Sequence, residues 1–157
     1  MKVIDVASTA VSTLPNQGSI SFLSCVVVGD HIIASETGGD IHEILISSGE
    51  PSKSYADAGS YVRFVTVSHD GNTIYYSDVS AGQIYKIPRS GTDKIWVAGT
   101  TSGNNVDGPA DQAVFSSPQK VVLSKDDTTA YVSTYHAIRS IDLASGTVTT
   151  LAGPTSG

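Results

Sequence analysis

Self-similarity limits what this chain can fold into more than any other feature of its sequence. The segment Lys2-Val3-Ile4-Asp5-Val6-Ala7-Ser8, followed by Val11-Ser12-Thr13-Leu14, returns as Arg139-Ser140-Ile141-Asp142-Leu143-Ala144-Ser145 and Val148-Thr149-Thr150-Leu151, at an offset of 137. With Ile4, Ile44, Ile87 and Ile141 taken as one position, the successive spacings are 40, 43 and 54 residues. A second alignment runs without gaps over 18 residues, laying Tyr61 to Asp78 on Ser117 to Thr134 at an offset of 56. It matches Val65-Thr66-Val67-Ser68 to Val121-Val122-Leu123-Ser124, and each copy carries a tight-turn segment, His69-Asp70-Gly71-Asn72 or Lys125-Asp126-Asp127-Thr128. Strand-turn-strand units recurring every roughly 40 to 50 residues are the mark of four-stranded propeller blades.

One blade reads as strand A over Val65 to Ser68, B over Thr73 to Asp78, C over Gln83 to Pro88 and D over Lys94 to Ala98. β-branched and aromatic residues fill these runs, and no stretch holds a 3.6-residue apolar period. The expected class is all-β, with helix confined to one turn near Pro109 to Phe115. The whole chain, 1–157, reads as a single partial propeller of about three and a half blades. Residues 1–17 supply strands C and D of a half blade, 18–59 the first blade, 60–114 the second with a long connector, and 115–157 the third. Such a set does not close a ring, so the chain reads as an excerpt of a longer propeller rather than as half of a two-chain ring. Unpaired strand edges at its ends predict self-association.

The stretch Asp107-Gly108-Pro109-Ala110-Asp111-Gln112-Ala113-Val114-Phe115-Ser116-Ser117-Pro118-Gln119-Lys120-Val121-Val122-Leu123 resembles the opening segment of an NHL repeat, and Val148-Thr149-Thr150-Leu151-Ala152-Gly153 is similar to that family's fourth strand and exit. Lys120 stands where the family often has Gly. The segments Ile74 to Asp78 and Gly82 to Ile87 resemble it too, whereas the first blade lacks the F-x-x-P opening. The resemblance implies a propeller used mostly for holding partners.

Propellers usually meet ligands on the face made by the D-to-A and B-to-C connections. Ser24, Arg63 and Gln119 read as equivalent residues at the starts of successive A strands, and so as a polar ring at the channel mouth. Phe22, Tyr61, Tyr135 and His136 fall on the same expected face, where exposed aromatics serve as interface anchors. Asn104 and Asn105 belong to the long connector, Thr100 to Pro118, whose length marks it as a candidate binding loop. The bland reading beside each is solvation of the channel, packing between blades, or local backbone hydrogen bonding. Arg63 is the leading residue, as the lone charge among the three A-strand starts, with pairing to Asp57 as its structural alternative.

His31, His42, His69 and His136 fall at different phases of the repeat, so no metal site is expected among them, and no catalytic residue or cofactor is assigned. The short motifs with defined mechanisms, G-x-S-x-G, the P-loop and H-E-x-x-H, are absent. A non-enzymatic scaffold with a protein- or peptide-binding face is the leading function. The alternative is an excerpt of a hydrolase, lyase or lactonase-like propeller with a divalent cation in its channel. A formal charge of -6 argues against nucleic acid or anionic membrane as partner. Composition, with 39% hydrophobic residues and no membrane-length apolar run, reads as a soluble globular domain. Cys25, beside Val26 to Val28, reads as a buried small apolar residue. Met1 to Val6 lacks the pattern of a secretory signal, and nothing in the sequence names a compartment.

Overall fold

The computed structural model describes residues 2–5, 10–13, 21–55, 59, 61–101 and 103–154, the first two stretches by their backbone alone. A hairpin of β1 (Lys2–Asp5) and β2 (Ala10–Thr13) precedes three four-stranded antiparallel sheets. The first sheet runs β3 (Phe22–Val28), β4 (His31–Glu36), β5 (Ile41–Leu45) and β6 (Pro51–Tyr55). The second runs β7 (Val62–Val67), β8 (Thr73–Asp78), β9 (Gln83–Pro88) and β10 (Ile95–Ala98). The third runs β11 (Val121–Leu123), β12 (Thr129–Ser133), β13 (Ile138–Asp142) and β14 (Val148–Ala152). Each is a meander in chain order, and no described residue is helical. The expected turn near Pro109 is present, closed by bonds from Gln112 N and Ala113 N to Pro109 O at 2.9 and 2.8 Å.

The repeat is reproduced in atomic detail. Ser68 Oγ donates to Asp70 Oδ1 at 2.5 Å and accepts from Thr73 N at 2.9 Å, and Ser124 Oγ makes the same two bonds with Asp126 Oδ1 at 2.6 Å and Thr129 N at 3.0 Å. Side-chain bonds to both aspartates, with backbone bonds from Asn72 and Thr128, hold their carboxyls below the usual range. Gly71 sits at φ 75° in the first of these turns, where an added Cβ would meet Val28 Cγ1 at 3.1 Å.

Because successive side chains point to opposite faces, each sheet buries two sides. Ile33, Ile41 and Tyr55 of the first sheet pack with Val65, Ile74, Tyr76 and Ile87 of the second. Tyr75, Ile84 and Ala98, on the other side of the second sheet, pack with Val121, Val132 and Ile141 of the third, and Phe115 of the connector joins them. Each sheet thus shows a trailing side to the sheet before it and a leading side to the sheet after it. Cys25 lies on the trailing side of β3 and is exposed rather than buried, so its apolar neighbours misplace it.

A serine latches each junction. Ser35 Oγ donates to Arg63 O at 3.2 Å, and Ser77 Oγ donates to Gln119 O. Both serines are fully buried. Replacing Ser77 with Ala leaves the Gln119 carbonyl unpaired in that junction and is expected to lower unfolding free energy by about 1 to 2 kcal/mol. Urea unfolding checks this, and an unchanged midpoint would show that the latch adds nothing.

Candidate functional site

The end of the sheets at which the inner strands begin is held together by a repeated backbone bond. Thr37 N donates to Ser21 O, Val79 N to Tyr61 O, and Tyr135 N to Ser116 O, each at 3.0 Å. This ties the exit of every second strand to the residues entering the first, so Tyr61 and Tyr135 share one end of the fold. The turns there are built locally. Asp78 Oδ1 accepts from Ser80 N and Ala81 N at 3.1 and 3.0 Å, and Thr134 Oγ1 exchanges bonds with Ala137 O at 3.1 Å and Ala137 N at 3.2 Å.

Arg63 lies just inside β7 with its side chain exposed. Its Nη1 donates to Gln119 Oε1 at 2.9 Å across the junction to the third sheet, and its Cζ sits 5.8 Å from the Phe64 ring centroid. Gln119 is itself braced, since its Nε2 donates to Ser117 O at 3.1 Å and its backbone N to Ser133 O at 2.8 Å. Asp57, the alternative partner of Arg63, lies outside the described residues.

Ser24 departs from its expected place. Cys25 faces Ala34 as Val65 faces Tyr76 and Val121 faces Val132, so two residues back Leu23, not Ser24, matches Arg63 and Gln119. Ser24 stands opposite Ser35, in the position of Phe64 and Lys120. A slip of one residue exchanges the two faces of a strand. The polar ring therefore consists of Arg63 and Gln119, with an exposed Leu23 beside them.

Tyr135 is 72% exposed, and its ring stands edge to face with that of His136 at 4.4 Å. Both residues line a groove of about 320 Å³ with Ala137, Ile138, Ala152 and Gly153. Tyr61 is half-buried. Phe22 packs against Ile32, Ala34 and Ile44 and meets the His42 ring edge-on at 6.0 Å, which makes it a packing residue.

The two connector asparagines separate. Asn104 is exposed and takes part in interactions of its own. Asn105 is 4% exposed and fully engaged: its Oδ1 accepts from Ser116 N and Arg139 Nη1, both at 3.0 Å, and its Nδ2 donates to Thr134 Oγ1 at 3.3 Å. That is the local bonding the bland reading anticipated, and it removes Asn105 from the surface.

Two clusters were not anticipated. At the junction of the first two sheets, Glu43 pairs with Arg89 Nη2 and accepts from the Tyr55 hydroxyl at 2.9 Å. In the third sheet Arg139, wholly buried, binds the connector through Asn105, Asp107 and the Val106 and Val114 carbonyls. A third chain of polar groups crosses the outer strands of the first sheet, with His42 Nδ1 at 3.0 Å from Ser54 Oγ and Nε2 at 3.3 Å from Glu36 Oε2. The Tyr135-His136 groove does not reach it. Among the described residues no three His, Cys, Asp or Glu side chains are grouped to hold a metal ion. Among the described residues no helix is long and apolar enough to cross a membrane.

No family model and no curated protein matches the chain. Solved structures do. A structural-genomics protein of unknown function from Bacteroides thetaiotaomicron superposes with a TM-score of 0.74 at 20% identity, covering 99% of this chain and 42% of that one. A chain of a nidogen/laminin complex gives 0.74 at 14% identity, covering 99% and 58%. The β-propeller domain of Cps50 (Swd1) from Myceliophteria thermophila gives 0.68 at 17%, covering 98% and 53%. The fold is a β-propeller. Its three sheets are blades, β3, β7 and β11 are their inner strands, and the ring they begin is not closed. The chain spans about half the length of these propeller chains.

Proposed function

We propose that this propeller is a non-enzymatic binding module that captures a protein or peptide segment on the end carrying Arg63, Gln119, Tyr61, Tyr135 and His136. The observation that carries the reading is the pairing, at one end of the blades, of a braced and exposed guanidinium with an exposed Tyr-His pair lining a groove. Gln119 occupies only one edge of the Arg63 fork. The remaining donors suit a carboxylate or a peptide carbonyl, which a planar guanidinium engages bidentately. Tyr135 adds a large, stiff contact surface of the kind that concentrates binding energy. The acidic balance of the chain makes Arg63 a local contrast in charge, favouring an acidic segment. Among similar folds, a Bacteroides ovatus protein is described as an auxiliary nutrient binding protein, and the nidogen structure is of a complex with laminin. Both descriptions agree with a propeller used to hold something.

The test is a random peptide library selected on the purified chain, with dissociation constants read by fluorescence anisotropy. Arg63→Ala is expected to weaken the selected peptides about 5- to 150-fold, equivalent to about 1 to 3 kcal/mol. Its unfolding midpoint should stay close to that of the parent, because the guanidinium is solvent-facing. Tyr135→Ala should behave alike. Peptides indifferent to both substitutions would overturn the assignment. So would an Arg63→Ala loss explained entirely by a lowered midpoint.

A further inference from the structure

The outer strands of the second and third blades share one register but differ in what covers them. In the third blade the connector lies along the free edge of β14: Gly108 N donates to Val148 O at 3.0 Å, and Val148 N donates to Gly108 O at 2.8 Å. The next outward N–H, that of Thr150, is taken at 3.0 Å by Asp107 Oδ2, while Asp107 Oδ1 accepts from Thr150 Oγ1 and Arg139 Nη2. A short Asp-Gly segment thus closes this edge, its carboxylate held between a strand N–H and a cation.

Pairing transfers these places onto the second blade. Ile84 faces Ala98 as Ile138 faces Ala152, and Tyr85 faces Trp96 as Arg139 faces Thr150, with the same irregularity between them. Trp96 therefore stands where Thr150 stands, and its N–H turns away from β9. Among the described residues no bond closes that N–H. The link into the third blade spans residues 99–120, whereas the link into the second, residues 56–61, is far shorter and has no Asp-Gly-Pro segment.

What this edge presents is apolar and basic. Ile95 is 44% and Trp96 40% exposed, and the indole is pinned by its Nε1 donating to Gly99 O at 2.9 Å. Tyr85 holds the place of Arg139, and Lys94 Nζ lies 5.2 Å from its ring centroid, so a cation accompanies this strand pair too. From Gln83 to Ala98 the sequence has Lys86, Arg89 and Lys94 against Asp93 alone, in a chain of formal charge -6.

We propose that β10 takes up an extended acidic segment of a partner protein as a fifth strand, its carboxylate reaching Trp96 N and Lys94 as Asp107 reaches Thr150 N and Arg139. Main-chain bonds supply the affinity of such strand addition, and the acid with the flanking apolar side chains supplies selectivity. Pairing of two β10 strands from separate copies would instead set Lys86 and Lys94 against their own kind, like charges opposed. The surface shares no residue with the end that holds Arg63 and Tyr135.

The probe is the peptide of residues 103–110 of this chain, Gly-Asn-Asn-Val-Asp-Gly-Pro-Ala with blocked ends, titrated into the isotopically labelled protein. Amide spectra should show a saturable shift at Trp96, and the emission of that residue, the chain's one tryptophan, should change with it. Peptide bearing Asp107→Asn, and protein bearing Lys94→Glu, should each bind about tenfold more weakly. Trp96→Pro deletes the donor and should abolish binding. If that variant is destabilised, Lys94→Glu, at an exposed residue, decides the matter. A Trp96 amide unmoved up to millimolar peptide would overturn the proposal, as would an affinity indifferent to Lys94→Glu. Shifts gathered at Val148 and Thr150, where the peptide would displace the chain's own connector, or at Arg63 and Tyr135, would place the acidic segment elsewhere and overturn it equally.

Discussion

Replacing Arg139 with Met is expected to lower the unfolding free energy by about 4 kcal/mol, a large share of the roughly 5 to 15 kcal/mol of an ordinary domain. The guanidinium is wholly buried and lies 5.1 Å from the Phe115 ring centroid. Its Nη1 donates to Asn105 Oδ1 and Val114 O, both at 3.0 Å, and its Nη2 to Val106 O at 2.8 Å and Asp107 Oδ1 at 2.6 Å. Methionine fills much of the volume but supplies no donor, so several acceptors lose a partner, at about 1 to 3 kcal/mol for each one left fully buried. Asn105 and Asp107 soften the loss by keeping their other bonds, Asn105 Oδ1 still accepting from Ser116 N. Asp107 still accepts from Thr150 N at 3.0 Å and Thr150 Oγ1 at 2.8 Å. Asp107→Asn should therefore cost only about 1 kcal/mol, because that carboxylate is partly solvated. Guanidinium titration of the two variants checks the ordering. Equal losses would show that the ion pair, rather than the buried fan of carbonyl bonds, holds the connector.

The strands were legible because the repeat constrains them twice over. The second, third and fourth strands of the second blade begin and end within one residue of where alternation and the Gly-containing turns put them, and Ile44, Ile87 and Ile141 do share one register position. The same comparison failed at Ser24, where the first blade lacks the connector motif that anchors the other two. Without that anchor the alignment slipped by one residue, which in a strand exchanges the two sides.

Arg139 was illegible for a different reason. A charged residue between Ile138 and Ser140 reads as solvent-facing, and its partners lie 25 to 34 positions away in a connector without strand periodicity. Glu43 and Arg89 were hidden likewise, on neighbouring blades 46 residues apart. Ser35, Ser77 and Ser133, by contrast, were visible as a repeated residue type. What the sequence concealed is that Ser35 and Ser77 each reach across to the next blade.

The Glu43 cluster gives the second large effect, and its pH dependence has a definite sign. Burial is the largest single influence on the carboxyl and acts to raise its pKa. Hydrogen bonds from Arg89 and Tyr55, with the charges of Arg89 and His31, together outweigh it, so the net shift is downward from 4.5. Burial, then the bond to the ionised Glu43, pushes the Tyr55 phenol well up. Arg89 Nη1 donates to Gly71 O at 2.8 Å, and Lys53 Nζ donates to Arg89 O at 2.5 Å and Gly91 O at 2.7 Å, so the charge pair clamps the second blade's outer turn to the first blade. Glu43→Gln keeps the shape and an acceptor for Tyr55 but leaves Arg89 without its counter-charge, at an expected cost of about 3 kcal/mol at pH 7. A carboxyl with a depressed folded pKa contributes its stability in full above the unfolded value and loses it as pH falls through the folded one. The difference between parent and Glu43→Gln should therefore be present at neutral pH and shrink below about 4.5. Other depressed carboxyls, such as Asp107 and Asp142, give both proteins the same acid slope, so subtraction isolates Glu43. Urea unfolding at intervals from pH 7 to pH 3 measures that difference. If it stayed constant across the range, the substitution would be acting through packing rather than charge, and the ion pair would not be what joins these blades.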